Sequence, residues 1–228
     1  MDKFSLYVPN FLPCNEYFDP KKNNACPGCG IALALRHVYK AIEGLIEKAA
    51  WTTPAGNDLL GGKTGASLLR VKQGKADVII CFDNEAGGTL TDALNKKMPG
   101  VAVAEGFKYV ATACPSYPFD LIDKMKTAIE TEGKSYIHIL CPCPAGWKFE
   151  SENTVKVGFK AVETNAFPLY EVGTGCYTLT IKTAKPKTLS VYVQAQERFA
   201  GISDSDLAQA NAAVEKAYGK LLESAQPG

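Results

Sequence analysis

A doubly wound α/β fold on a mostly parallel sheet is what this sequence predicts, and three observations carry the prediction. Segments 77–82, 107–113 and 135–140 read as strands, the first of them a short apolar run suited to burial on both faces. Segments of helical periodicity, 90–97 and 120–131, stand between them. Strand, helix, strand, helix, strand at this spacing implies right-handed crossovers, with ligand sites at the carboxyl ends of the strands. The 228 residues are expected to form one domain, 1–228, with an irregular arm over 1–25 and a helical tail over 203–228.

The arm is read from Pro9, Pro13 and Pro20 among scattered aromatics. The turn Cys26-Pro27-Gly28-Cys29-Gly30 follows, then a helix over 31–48 with Leu35, Val38, Ile42, Leu45 and Ile46 at helical spacing. Residues 50–65 read as a loop. Within it, Gly61-Gly62-Lys63-Thr64 lacks the earlier glycine of a phosphate-binding loop, since Asn57 stands there. After the strand at 77–82 comes a polar turn, Asp83 to Thr89, and a short helix from Leu90. Leu121, Met125 and Ile129 mark one side of the helix over 120–131. The strand at 135–140 runs into Cys141-Pro142-Cys143-Pro144. Residues 151–165 read as helix, 170–182 as extended chain and 204–223 as an Ala-rich charged helix.

Composition narrows the function. A formal net charge of +1 gives no electrostatic case for nucleic acid or a membrane surface. No apolar run approaches the ~18–20 residues of a membrane span, and the first residues lack the apolar core of a signal peptide. A cytoplasmic location is expected. The eight cysteines are therefore read as thiols, the close pairs 26/29 and 141/143 in metal or redox use and the others as buried and inert.

Three features bear on chemistry. Cys26 and Cys29 lie three positions apart at the mouth of a helix, whose free N–H groups and dipole favour thiolate. The spacing suits a redox pair, half a zinc site or part of an iron–sulfur site. With Cys141 and Cys143 it also admits a zinc-thiolate protein. The turn Asp83-Asn84-Glu85-Ala86 offers oxygen ligands for a hard cation such as Mg²⁺ carrying a diphosphate; the alternative is an ordinary capped strand-to-helix turn. His37 and His138 have no Ser, Cys or Asp partner fixed by sequence and read as structural, and Trp51 and Trp147 read as edge packing.

The blocks Ala25-Cys26-Pro27-Gly28-Cys29-Gly30 with Ala34-Leu35-Arg36-His37, Tyr109 through Pro118, Tyr136 through Trp147, and Phe167 through Glu171 occur in one order. In that order they resemble the β subunit of 2-oxoacid:ferredoxin oxidoreductases. The resemblance implies a thiamine-diphosphate-binding fold, with Mg²⁺ on the cofactor's diphosphate and a [4Fe–4S] cluster near the thiazolium. Cys26, Cys29 and Cys143 match cluster ligands, and the Asn84 side chain and Ala86 carbonyl match Mg²⁺ ligands. Gly28 and Asp83 join them as cofactor-binding positions. The resemblance further implies α-, γ- and δ-type partner subunits, ferredoxin, coenzyme A and a 2-oxoacid, pyruvate above all. A catalytic carboxylate would come from a partner subunit, so no catalytic residue is assigned to this chain.

The chain departs from the family in the middle, where it is shortened and rearranged. The third cluster cysteine and a Gly-Asp-Gly segment have no counterpart, and Ala50-Trp51-Thr52-Thr53-Pro54 precedes the Asp83-Asn84 turn instead of following it. The expected function is a β-type subunit that oxidatively decarboxylates a 2-oxoacid with coenzyme A and passes electrons through the cluster to ferredoxin. The alternative is a non-catalytic scaffold derived from that subunit.

Overall fold

The computed structural model describes residues 15–17, 25–52, 66–85, 89–183 and 185–225. One seven-stranded mixed sheet organises them, in the order β1-β2-β3-β5-β4-β6-β7. The strands are β1 (Ala49–Thr52), β2 (Ala66–Gln73), β3 (Ala76–Asp83), β4 (Tyr109–Ala113), β5 (Gly133–Leu140), β6 (Tyr170–Gly173) and β7 (Cys176–Leu179). The three strands expected from the sequence, β3, β5 and β4, make the parallel centre. Each is flanked by helices on both faces, which is why apolar residues fill these strands without alternation.

The antiparallel flanks are the structure's addition. β2 folds back on β3 through a two-residue turn at 74–75, with Gly74 at φ +56°, and β1 pairs with β2 where the sequence reads as loop. The Ala49↔Val71 pairing spans 22 positions, a distance at which local pattern carries no signal. On the other side β6 and β7 continue the sheet from β4.

Helices α1 (Gly30–Ile42) and α4 (Pro118–Glu130) cover one face. Ala34, Val38 and Ile42 meet Leu121, Met125 and Ala128 over Val78, Ile80, Phe82, Ile137 and Ile139. The helix expected through Lys48 stops at Ile42 and tightens into a 3-10 turn over Glu43–Lys48, with Glu43 at φ +25°. Helices α2 (Leu90–Leu94) and α3 (Met98–Ala104) follow β3, and α3 lays Ala102 on the opposite face against Cys81, Val110 and Tyr136. Lys124 of α4, only 2% exposed, donates to Thr112 O (2.8 Å), Asp120 Oδ2 (2.7 Å) and Thr180 Oγ1 (2.7 Å). That ammonium ties the ends of β4 and β7 to α4. Burial lowers its pKa, and the Asp120 partner opposes the shift.

A second core closes the carboxyl end of the sheet. Helices α5 (Pro144–Trp147), α6 (Thr154–Glu163), α7 (Ser190–Val193) and α8 (Asp204–Ser224) pack Val157, Ala161, Tyr192, Val193 and Val214 around Trp147. Among the described residues no helix is long and apolar enough to cross a membrane.

Candidate functional site

The register Asp83↔Leu140 brings the ends of β3 and β5 level, and Cys141 N–H donates to Asp83 O at 2.7 Å. The turn at 83–85 and the segment 141–143 therefore leave the sheet side by side. The start of α1 joins them: Gly30 N–H donates to Pro142 O at 3.0 Å. A Cβ on Gly30 would lie 2.4 Å from that oxygen and 2.7 Å from Cys141 C, so only glycine allows the approach. Gly28, at φ +69°, sits equally close to Ser151 O and accepts from Thr154 Oγ1 at 2.6 Å. Two glycines thus seat the Cys26–Cys29 turn on the carboxyl end of β5 and the start of α6.

The cysteines divide by surroundings. Cys26 is exposed, and Cys29 and Cys143 are half-buried; Cys176, expected to be buried, is exposed because it opens the edge strand β7. Cys29 is the N-cap of α1 and donates its N–H to Cys26 O at 3.1 Å. Cys26 and Cys29 line a shallow groove of about 600 Å³ with Arg36, Ser151, Glu152 and Val155, and Cys143 is not on it. Cys143 caps α5, its Sγ accepting from Gly146 N–H at 3.3 Å. Cys141 is fully buried with its sulfur 3.5 Å from Ile139 O, and burial pushes its pKa well up, holding it as a thiol. Cys14 lies outside the described residues.

The acidic turn is already neutralised by side chains of this chain. Asp83 Oδ2 meets Lys96 Nζ at 2.7 Å and His138 Nε2 at 3.0 Å, while Asp83 Oδ1 accepts from Glu85 N–H at 2.8 Å. Glu85 Oε1 meets Lys96 Nζ at 2.8 Å, and Oε2 accepts from Arg198 at 2.7 Å. Burial alone would raise the Asp83 pKa; His138 and Lys96 outweigh it and hold the carboxyl well below its usual range. Burial alone would lower His138, and Cys81 and Asp83 overcome it, raising the imidazole to about 9. Arg198 also donates to Glu85 O at 2.9 Å and stacks on Trp147, 4.2 Å from the ring centroid.

Two expectations change here. Trp147 is no edge residue: it is wholly buried and its Nε1–H donates to Asn84 O at 2.7 Å. His138 does have an acidic partner, Asp83, because parallel pairing sets Cys81 beside His138 and so brings Asp83 within reach. Sequence reasoning missed Lys96 and Arg198. Two carboxylates at the end of a buried strand signal that cations must stand near, but Arg198 lies 113 positions from Glu85.

A cleft of about 980 Å³ opens on the other side of this cluster, between α8 and the α2 region. Lys96 and Arg198 reach its wall among Leu90, Phe167, Phe199 and Val214; neither carboxylate nor any cysteine lines it.

The donor sets can be set against the groups the resemblance implies. Among the described residues, no three His, Cys, Asp or Glu side chains are grouped to hold a metal ion. A [4Fe–4S] cluster takes four thiolates, and this set does not fit one. Mg²⁺ takes oxygen ligands, usually one or two carboxylates beside waters and phosphate oxygens. Asp83 and Glu85 give their oxygens to Lys96, Arg198 and His138, and Asp92 gives its own to Thr89 in the cap of α2. As paired, these three carboxylates are not open to Mg²⁺. Ala86 lies outside the described residues, as does Gly61-Gly62-Lys63-Thr64.

No family model matches the chain. It is 30% identical over 225 residues to "Pyruvate synthase subunit PorB" of Methanothermobacter marburgensis, covering 88% of this chain and 76% of that one. It is 42% identical over 116 residues to the protein of the same name from Methanocaldococcus jannaschii, covering 51% of this chain and 39% of the relative. Against "Ketoisovalerate oxidoreductase subunit VorB" of Pyrococcus furiosus the identity is 28% over 207 residues, 78% of this chain and 66% of that one. The chain therefore spans from 39% to 76% of the length of these relatives.

Proposed function

The chain belongs to the β-subunit family of 2-oxoacid:ferredoxin oxidoreductases, and from that premise we propose that it serves as the β-type subunit of a heteromeric enzyme oxidising a small 2-oxoacid. The observation that carries the reading is the 88% of this chain that aligns with a pyruvate synthase subunit. Pyruvate is the first candidate substrate and a branched 2-oxoacid the second, after the two names that the relatives carry. Thiamine diphosphate, coenzyme A and ferredoxin would be handled by the assembled complex, in which partner subunits complete the site. Among the described residues of this chain no three His, Cys, Asp or Glu side chains are grouped to hold a metal ion, and the ligand sets would be completed within the assembled complex.

What this chain contributes on that reading is a rigid carboxyl-end platform. The Cys26–Cys29 turn, segment 141–143 and the neutralised Asp83–Glu85 turn are locked to one another by backbone bonds and glycine contacts. A platform of this kind orients a partner's groups at little further entropic cost. The test is anaerobic co-expression with the α-, γ- and δ-type subunits, followed by size-exclusion chromatography and 2-oxoacid-plus-coenzyme A-dependent reduction of ferredoxin. The reading expects a stable complex that turns over. Absence of any complex would refute it.

The internally satisfied Asp83–Glu85 turn favours a second reading, a subunit that assembles without supporting turnover. A stable complex that reduces no ferredoxin with pyruvate or with branched 2-oxoacids would select it.

A further inference from the structure

Two buried carboxylates two residues apart, at the end of a strand, demand positive charge. Of the three cations that answer them, one ammonium is shared between the two. Lys96 Nζ stands 2.7 Å from Asp83 Oδ2 and 2.8 Å from Glu85 Oε1, with the two carboxylate side chains only 6% and 3% exposed. The turn is shaped for this bridge. Glu85 takes φ +47°, an uncommon conformation for a residue with a side chain. It is held there by its own N–H on Asp83 Oδ1 and by Arg198 on its carbonyl. The result is one anionic oxygen from each residue facing one point. Lys96 reaches that point from just beyond the C-cap of α2, 13 positions along the chain from Asp83.

We infer that Lys96 is a tethered counter-cation, its ammonium standing where a divalent metal would bridge Asp83 and Glu85, so that the turn is complete without metal and becomes a site for free Mg²⁺ or Mn²⁺ once the ammonium is removed. Hard divalent ions are commonly held by one or two carboxylates with water filling the other positions. Water has its path here, because Lys96 is also part of the wall of the 980 Å³ cleft. The other charged groups on the pair are Arg198, on Glu85 Oε2, and His138, which shares Asp83 Oδ2. They temper the affinity of the vacated position and leave Glu85 Oε1 wholly available to an incoming ion. This inference stands apart from the oxidoreductase reading, since it concerns the charge at one turn and not any turnover.

The test is a Mn²⁺ titration of the full chain, stripped with EDTA and kept reduced. The readout is loss of the free hexaaqua-Mn²⁺ signal in electron paramagnetic resonance. The wild-type chain is expected to show no binding that Asp83→Asn removes. Lys96→Ala and Lys96→Gln are expected to take up one Mn²⁺ at least about tenfold more tightly than wild type. Lys96→Ala/Asp83→Asn should lose that gain. Asp83-dependent Mn²⁺ binding by the wild type would overturn the inference, as would a failure of both Lys96 variants to gain binding. Should the variants unfold when stripped, refolding on added Mn²⁺ supports it. Persistent unfolding at millimolar Mn²⁺ counts against it.

Discussion

Gly30→Ala sets two opposing effects against each other at the point where α1 meets the end of β5. Alanine is the better helix former by about 0.8–1 kcal/mol in a helix interior, and by less at a first position. Against this, the added Cβ would fall 2.4 Å from Pro142 O and 2.7 Å from both Cys141 C and Pro142 N. All three are backbone atoms and cannot swing aside. Overpacking of this kind costs about 1–3 kcal/mol. Pushing the elements apart also stretches the 3.0 Å Gly30 N–H to Pro142 O bond, worth about 0.5–1.5 kcal/mol. The net expectation is a loss of about 1–3 kcal/mol, or roughly 2–4 °C in Tm for each kcal/mol at this chain length. Urea denaturation followed by circular dichroism measures it as a lower midpoint at unchanged slope. Gly219→Ala is the control: it lies in α8 with nothing within 4 Å of its added Cβ, and should gain up to about 1 kcal/mol. If Gly30→Ala is as stable as wild type while the control behaves, α1 is not held on Pro142 by close approach. The described seating of the Cys26–Cys29 turn then fails with it.

Other expectations follow from single contacts. Lys124→Met leaves the Asp120 carboxylate, 9% exposed, without its ammonium and should cost about 3–5 kcal/mol in the same assay, part of it recovered by Asp120→Asn. His138 is raised from 6.5 to about 9, so its contribution is fully present below pH 6.5 and is lost as pH rises through 9. At about 1.4 kcal/mol per pH unit that loss is on the order of 3 kcal/mol, and His138→Phe should flatten the stability profile between pH 7 and 10. Mass-mapped alkylation of the native chain should modify Cys26 and Cys176 first. Cys81, Cys114 and Cys141 should react only on unfolding, and early labelling of Cys141 would contradict its burial.

The arrangement at the carboxyl end has a simple electrostatic logic. A strand buried on both faces can end in carboxylates only if cations follow, and the chain supplies three: Lys96 from the connection between α2 and α3, His138 from the neighbouring strand and Arg198 from a remote turn. Each brings packing as well as charge, Arg198 most of all through its stacking between Trp147 and Phe199. Removing one carboxylate strands a buried cation, and removing one cation strands a carboxylate. The cluster therefore behaves as a unit in mutagenesis, and double substitutions are the informative ones.

The amino-acid sequence by itself determined the parallel centre. Apolar runs such as Val78-Ile79-Ile80 can be buried only between two layers, and the helices between those runs have the matching period. It also placed the 83–85 turn and the 141–143 segment at the ends of their strands, since both simply follow those runs. Tertiary structure alone decided what these groups do there. Whether Asp83 meets a metal or an ammonium depends on Lys96, Arg198 and His138, whose approach is set by sheet register and helix packing across as many as 113 positions. The same holds for β1 on β2 and for Trp147 in the second core. Local periodicity reports only which face of an element is apolar, while the partner that covers it is chosen by the whole fold.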